Sequence, residues 1–301
     1  MTPRELKARL AAPAIVAPMF LISGPDLVAQ CCKAGLAGTF PALNQRTSEG
    51  FEEWLLELDE RLGPDGAPFG VNLIVHKSNP RVEADLALCV KHKVPFVITS
   101  LGAVSELVDA VHSYGGLVFH DVISRRHAEK AAEAGVDGII GVAAGAGGHA
   151  GLLSPFALVS EIREVFDGAI ILSGAQTHGR HIAAAEMMGA DFGYIGSHFI
   201  AADESMAGDD QKAMMARAQA KDITYTDKVT GVGANFLSES LQSATLPDTH
   251  GGLSLSEEAR AWKTIWSAGH GVGATREALP AAEIAARLIE EYRTAREEYC
   301  R

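Results

Sequence analysis

Residues 134–151 read Ala134-Gly-Val-Asp-Gly138-Ile-Ile-Gly-Val142-Ala-Ala-Gly145-Ala-Gly-Gly148-His149-Ala-Gly151. Gly135 can take the left-handed conformation that ends a helix, and the apolar run to Val142 is short enough for a buried strand. The glycine and alanine residues that follow let backbone approach a ligand closely, with one imidazole, His149, among them. Ser154-Pro155 then supplies an N-cap and first-turn pair for the next helix. Helix end, strand, glycine-rich loop with one histidine, and helix start form one β/α unit with a functional loop.

The same phrase recurs outward along the chain. Ala34-Gly35-Leu-Ala-Gly38 and Gly189-Ala-Asp-Phe-Gly193 repeat the helix-to-strand turn. Strands are expected at Ala14 to Ala17, Ala37 to Phe40, Phe69 to Ile74, Phe96 to Thr99, Leu117 to His120, Gly138 to Val142, Ala169 to Leu172 and Phe192 to Ile195. Their apolar runs do not alternate with polar residues, as in parallel strands covered on both faces. Amphipathic stretches lie between them: Phe51 to Leu62, Arg81 to Lys91, Val104 to His112, Arg125 to Ala134, Pro155 to Phe166 and Arg180 to Met188. Eight strands alternating with helices predict a TIM (β/α)8 barrel. After the eighth strand the pattern breaks, with a helix at Asp209 to Lys221 and then Thr-, Ser- and Gly-rich sequence. Residues 205–261 therefore read as an inserted lid, and 1–204 with 262–301, ending in a helix from Pro280 to Tyr299, read as the barrel.

Composition excludes several classes. A formal charge of −12 without Lys/Arg clusters is unsuited to a phosphate backbone, so the partner is a small molecule rather than nucleic acid. No apolar run reaches the roughly 20 residues of a membrane helix, and no signal-type segment follows Met1, which makes the cytoplasm the expected location. Cys31, Cys32, Cys89 and Cys300 have neither disulfide-framework nor zinc-site spacing and read as reduced, buried thiols. The oligomeric state is not legible, and a homo-oligomer is compatible with the composition.

A barrel presents its chemistry at the carboxyl ends of its strands. Ser173-Gly174-Ala175 follows the seventh strand and Gly196-Ser197 the eighth, where small residues expose backbone N–H groups to a phosphate-bearing cofactor. Met19 and Phe20, at the end of strand 1, can lie against an aromatic ring system or simply pack in the barrel. Asn72, inside an apolar strand, needs a polar partner.

Together, Ala17-Pro-Met-Phe20, Pro68-Phe-Gly-Val-Asn72, Ala134-Gly-Val-Asp137, Gly145 to Gly151, Ser173-Gly174 and Gly196-Ser-His-Phe199 resemble the nitronate monooxygenase (2-nitropropane dioxygenase-like) family. The likeness spans roughly residues 13 to 204, with a later segment at Trp266 to Gly273. That family is similar to flavin-dependent enoyl-acyl-carrier-protein reductases. The resemblance implies FMN as cofactor, with Met19, Phe20 and Asn72 around the ring. It places Gly147, Gly148, Ser173, Gly174, Ala175, Gly196 and Ser197 along the cofactor site, and makes His149 the catalytic histidine. It implies oxidation of alkyl nitronates with O2.

Three departures accompany the likeness. Gly145 stands where the family has an acid, Ala175 replaces a glycine of the phosphate loop, and His198 replaces an arginine. NAD(P)H-dependent reduction of an enoyl thioester is the alternative reaction. Histidines 76, 120, 149, 178 and 198 at or after strand ends, with Asp121, also allow a metal-dependent hydrolase, although no His-x-His follows strand 1. His120 and Asp121 are expected either near the flavin or as a hydrogen-bonded structural pair. A barrel that keeps the cofactor without turnover is the remaining option.

Overall fold

The computed structural model describes residues 1–63, 66–76, 78–102, 105–246, 257 and 260–299. Among them, eight parallel strands occur in the order β1 (Ala14–Val16), β9 (Phe192–Ile195), β8 (Ala169–Ser173), β6 (Gly138–Val142), β5 (Leu117–Val122), β4 (Phe96–Ser100), β3 (Gly70–Ile74) and β2 (Thr39–Pro41). A parallel bridge between Ile15 and Ala37 joins the two ends, with Val16 N–H donating to Ala37 O at 2.8 Å. This is the expected (β/α)8 barrel. The second strand starts two residues later than the sequence suggested, because Ala37 pairs only through that bridge. Gly35, Gly135 and Gly189 have φ of 95°, 84° and 100°, so each repeated turn does end a helix in the left-handed region.

The barrel interior is packed solid. Ile15, Ala37, Phe96, Ile98, Leu117, Phe119, Ile140, Ala169, Ile171 and Phe192 form one buried cluster, with the Phe96 and Phe119 rings 5.5 Å apart. Leu6 of α1 (Pro3–Ala8) belongs to the same cluster and is fully buried. The Met1 ammonium donates to Gly115 O just before β5, and Lys7 lies 5.9 Å from the Phe192 ring. This short helix, held by a Thr2–Glu5 capping box, plugs the amino end of the barrel. The sequence reading missed it because six residues are too few to show a period.

Most helix limits fall within three residues of expectation. The helix Pro155–Arg163 starts at Ser154-Pro155, but the Ser154 side chain makes no cap hydrogen bond. The helix read from Val104 is described from Ser105 to His112, and Val104 lies outside the described residues. Asp209–Arg217 is helical, and Ala220–Asp222 forms a separate 3-10 turn. The aperiodic region beyond it is not without structure: β10 (Ile223–Thr226) and β11 (Ala234–Leu237) form an antiparallel hairpin. Its outer edge pairs with a two-residue strand, β7 (Gly148–His149), so the seventh and eighth barrel strands are β8 and β9. Cys31, Cys32 and Cys89 are buried thiols, and Cys300 lies outside the described residues.

The C-terminal helix, Ala281–Tyr299, packs closely on the helix Gly179–Met187, and both contribute to a buried cluster with Val16, Leu27 and Phe199. Close approach depends on Gly179, where a Cβ would stand 2.1 Å from Leu288 O and 2.2 Å from Tyr292 N. Both obstacles are backbone. Gly179→Ala is therefore expected to destabilise the fold by about 1–3 kcal/mol, seen as a lower urea midpoint. An unchanged midpoint would show that this helix pair is not in intimate contact.

Candidate active site

A cavity of about 1130 Å³ opens at the carboxyl ends of the barrel strands. Its floor follows from the two-residue period of the strands, since side chains next above the buried interior layer point the same way. Asn72 on β3, Ser100 on β4 and Asp121 on β5 are those next residues, and they form a directional chain. Asn72 Nδ2 donates to Ser100 Oγ at 2.9 Å and to Ile98 O at 3.2 Å, and Ser100 Oγ donates to Asp121 Oδ2 at 2.7 Å. The partner expected for Asn72 is thus a neighbouring strand. Ser173 and Tyr194 line the same cavity from β8 and β9, while Pro18, Met19 and Phe20 supply an apolar wall.

His149 enters from above on β7. Pairing of Ala234 with His149 and of Asn235 with Gly148 fixes its backbone. Its Nε2 lies 3.3 Å from Thr230 Oγ1, and the Thr230 hydroxyl donates to Val232 O at 3.1 Å. With its proton committed there, Thr230 is left to accept from Nε2–H. Trp262 stands edge-on to the imidazole, with ring centroids 5.8 Å apart at 81°, and packs on Phe236.

The glycine run is anchored by a second glycine-rich segment. His270 N–H donates to Gly145 O at 2.9 Å, Gly269 N–H to Ser197 Oγ at 2.8 Å, and Gly148 N–H to Ser267 Oγ, which itself donates to Asn235 O. Backbones meet here with no space for side chains: a Cβ on Gly269 would be 2.4 Å from Gly145 O, and one on Gly147 would be 2.8 Å from Gly269 N. Sequence reasoning noted residues 266–273 only as a likeness and gave them no task. Their alternation of small residues was the available signal. Gly145 has φ +85° and its Cβ would lie 3.2 Å from His270 Nδ1, so a side chain at that position meets both backbone strain and a neighbour.

Every residue expected at the site lines this one cavity: Met19, Phe20, Asn72, Gly147, Gly148, His149, Ser173, Gly174, Ala175, Gly196 and Ser197. Ser173 is the last residue of β8 rather than a loop residue. Among the described residues, none accepts a hydrogen bond from the backbone N–H of Gly174, Ala175 or Gly196. Gly174 has φ +132° and its Cβ would lie 2.9 Å from Ala144 O, while Ala175 holds φ +52° despite its side chain. Between these loops Gln176 is buried with Oε1 lacking any partner among the described residues. Unpaired donors at the end of an apolar slot fit a phosphate; the Gln176 oxygen lies on the helix-facing side of Gly193, away from the slot.

Of the other histidines, His120 and His127 also line the cavity, whereas His76, His178 and His198 do not. His120 and Asp121 are not hydrogen-bonded to each other: consecutive strand residues point to opposite faces, so His120 Nδ1 lies 2.8 Å from Thr99 Oγ1 while Asp121 bonds Ser100. Burial lowers the His120 pKa, against the pull of the Asp121 charge, and raises that of Asp121, against the pull of His120 and the Ser100 hydrogen bond. His198 faces Thr275, and burial pushes its pKa down to about 4, so it is neutral at physiological pH. His76 bonds Ser78, and His178 packs against His181 with ring centroids 5.1 Å apart. No group of three or more His, Cys, Asp or Glu side chains with metal-binding placement occurs among the described residues. No helix among them is long and apolar enough to cross a membrane.

Ser267 ties the His149 strand to the hairpin, so Ser267→Ala should loosen both. Losing the acceptor for Gly148 N–H is expected to cost about 1–3 kcal/mol. Amide hydrogen exchange at Gly148 and His149 should quicken well before that of the barrel strands. Unchanged exchange at these two residues would mean that Ser267 does not hold the loop.

Comparison with known proteins agrees with this architecture. The nitronate monooxygenase family pattern matches residues 4–291. A nitronate monooxygenase of Paraburkholderia phytofirmans is 25% identical, with 95% of this chain and 93% of that protein aligned. A Rhodococcus jostii protein, (3aS,4S,5R,7aS)-5-hydroxy-7a-methyl-1-oxo-octahydro-1H-indene-4-carboxyl-CoA dehydrogenase, is 27% identical over 76% of this chain, which spans 63% of the relative's length. The crystal structure of a nitroalkane oxidase from Streptomyces ansochromogenes superposes with a TM-score of 0.83 at 25% identity, covering 98% of this chain and 99% of that one. The barrel, its histidine loop and the match along nearly the whole sequence place this chain in the nitronate monooxygenase family of oxidoreductases.

Proposed function

We propose that the chain binds FMN and oxidises alkyl nitronates with O2. The observation that carries this reading is the placement of His149 over a cavity whose far end is bounded by the unpaired backbone N–H groups of Gly174, Ala175 and Gly196. Those donors would take the phosphate, and Met19 and Phe20 would cover the ring. Asn72 keeps its Oδ1 toward the cavity as an acceptor, since both bonds it makes use Nδ2. When bound, the flavin would supply electron exchange between a carbon acid and O2. The cavity exceeds the roughly 300–1,000 Å³ of a site for one drug-sized ligand, which leaves room for a second molecule.

His149 does the work at the substrate. Its imidazole, with Nε2 against Thr230, is the group that would donate to a nitronate oxygen or take the α-proton of the neutral nitroalkane. Trp262 limits rotation of the ring and keeps water from one edge.

A second reading, reduction of an enoyl thioester by NAD(P)H, is favoured by the mouth of the cavity. Leu101, Ile123 and Val232 are exposed there beside Lys130 and Lys263, a surface suited to an apolar chain with an anionic tail. Anaerobic mixing separates the two. Ethyl nitronate should bleach the flavin and NAD(P)H should not; bleaching by NAD(P)H alone would overturn nitronate oxidation. His149→Ala should retain flavin and lose about 10²–10⁴ of the rate, and undiminished turnover would return His149 to a structural part. Gly196→Asp should yield protein without flavin, because a carboxylate would face the phosphate at close range. Its Cβ would meet nothing nearer than 3.5 Å, so folding should survive and a full flavin complement would contradict the phosphate site.

A further inference from the structure

One side chain in the cavity has no place in that account. Among the described lining residues Asp121 is the sole carboxylate. It accepts one hydrogen bond, at Oδ2, from Ser100. The Ser100 hydroxyl receives from Asn72 and has a single proton, so the chain Asn72, Ser100, Asp121 has a fixed direction. Oδ1 has no hydrogen-bond partner among the described residues, and a proton on this carboxyl would sit there, facing the ligand.

A bare carboxylate in a cavity meant for an anion is a repulsive contact. We propose that Asp121 is a specificity residue of this site, which must hold a proton on Oδ1 for a nitronate-like anion to bind. As an acid it donates to one of the anion's oxygens. As a carboxylate it repels the anion and leaves room only for a neutral carbon acid. Binding of one anion to the ionised form therefore takes up one proton from solvent. This rests on reading the cavity as a nitronate site. Burial raises the Asp121 pKa and so extends the protonated form toward neutral pH.

The groups that bear on this titration surround it on each side. His120 adjoins it on β5, His149 faces it from β7, and Tyr194 stands on β9; His127, Lys130 and Lys263 line the outer cavity. His149 is the other ionisable group beside the proposed anion position. The test must separate the two.

Nitrate serves as a redox-inert, planar probe with the charge and oxygen spacing of a nitronate. Its affinity for the FMN-loaded protein is measured by calorimetry from roughly pH 5 to pH 9, spanning a raised carboxyl and a histidine. For wild type the affinity should fall about tenfold per pH unit above the Asp121 pKa. Asp121→Asn should remove that fall and bind nitrate at least about tenfold more tightly at the alkaline end. Ser100→Ala, which keeps the carboxyl and removes a bond that lowers its pKa, should move the break to higher pH. His149→Gln should keep it. The proposal is overturned if Asp121→Asn retains the wild-type profile, if Ser100→Ala leaves the break in place, if only His149→Gln removes it, or if nitrate binds at no pH. Binding is read without turnover, so failure here is distinct from failure of nitronates to reduce the flavin.

Discussion

The site depends on one steric fact: the backbone of residues 145–148 lies directly against that of residues 267–271. Gly145 O, Gly147 and Gly269 approach within distances that no Cβ permits. From this contact follow the anchoring of Gly148 by Ser267, the pairing of β7 with the hairpin, and the height of His149 above the barrel floor. A loop of glycine and alanine is normally the most adaptable part of an enzyme. Here it is held by backbone hydrogen bonds on both sides, so an imidazole carried by residues with almost no side chains has a defined position.

The floor below obeys a different constraint. On β3, β4 and β5 strand alternation places a polar residue above the interior layer, and the three link into a chain that ends on a carboxyl group. The proposed phosphate end offers open backbone N–H groups at Gly174, Ala175 and Gly196 rather than charged side chains. A site with neutral anion-binding groups at one end and a titratable acid at the other responds to pH mainly at the reacting end.

The barrel was legible because its signals are local. Glycines 35, 135 and 189 mark helix ends by conformation, and uniform apolar runs mark strands buried on both faces. The cavity residues were legible from their positions after strands, which topology converts into one location. What escaped depends on contacts distant in sequence. The plug helix gains its order from barrel contacts, and the β10–β11 hairpin from pairing with a loop some 85 residues earlier, as Ala234 does with His149. Whether His120 and Asp121 meet the cavity or each other stayed open in the sequence, because adjacency does not say where side chains point; both line the cavity, and the strand turns them to different partners. Residues 266–273 show small-residue composition, but only folding reveals what they press against.

The visible absorption spectrum of the purified protein, with the released cofactor identified by mass, tests the central claim most directly. The proposed site predicts one FMN per chain, seen as flavin bands that persist through gel filtration. A colourless protein that takes up no FMN when it is supplied in excess would contradict it.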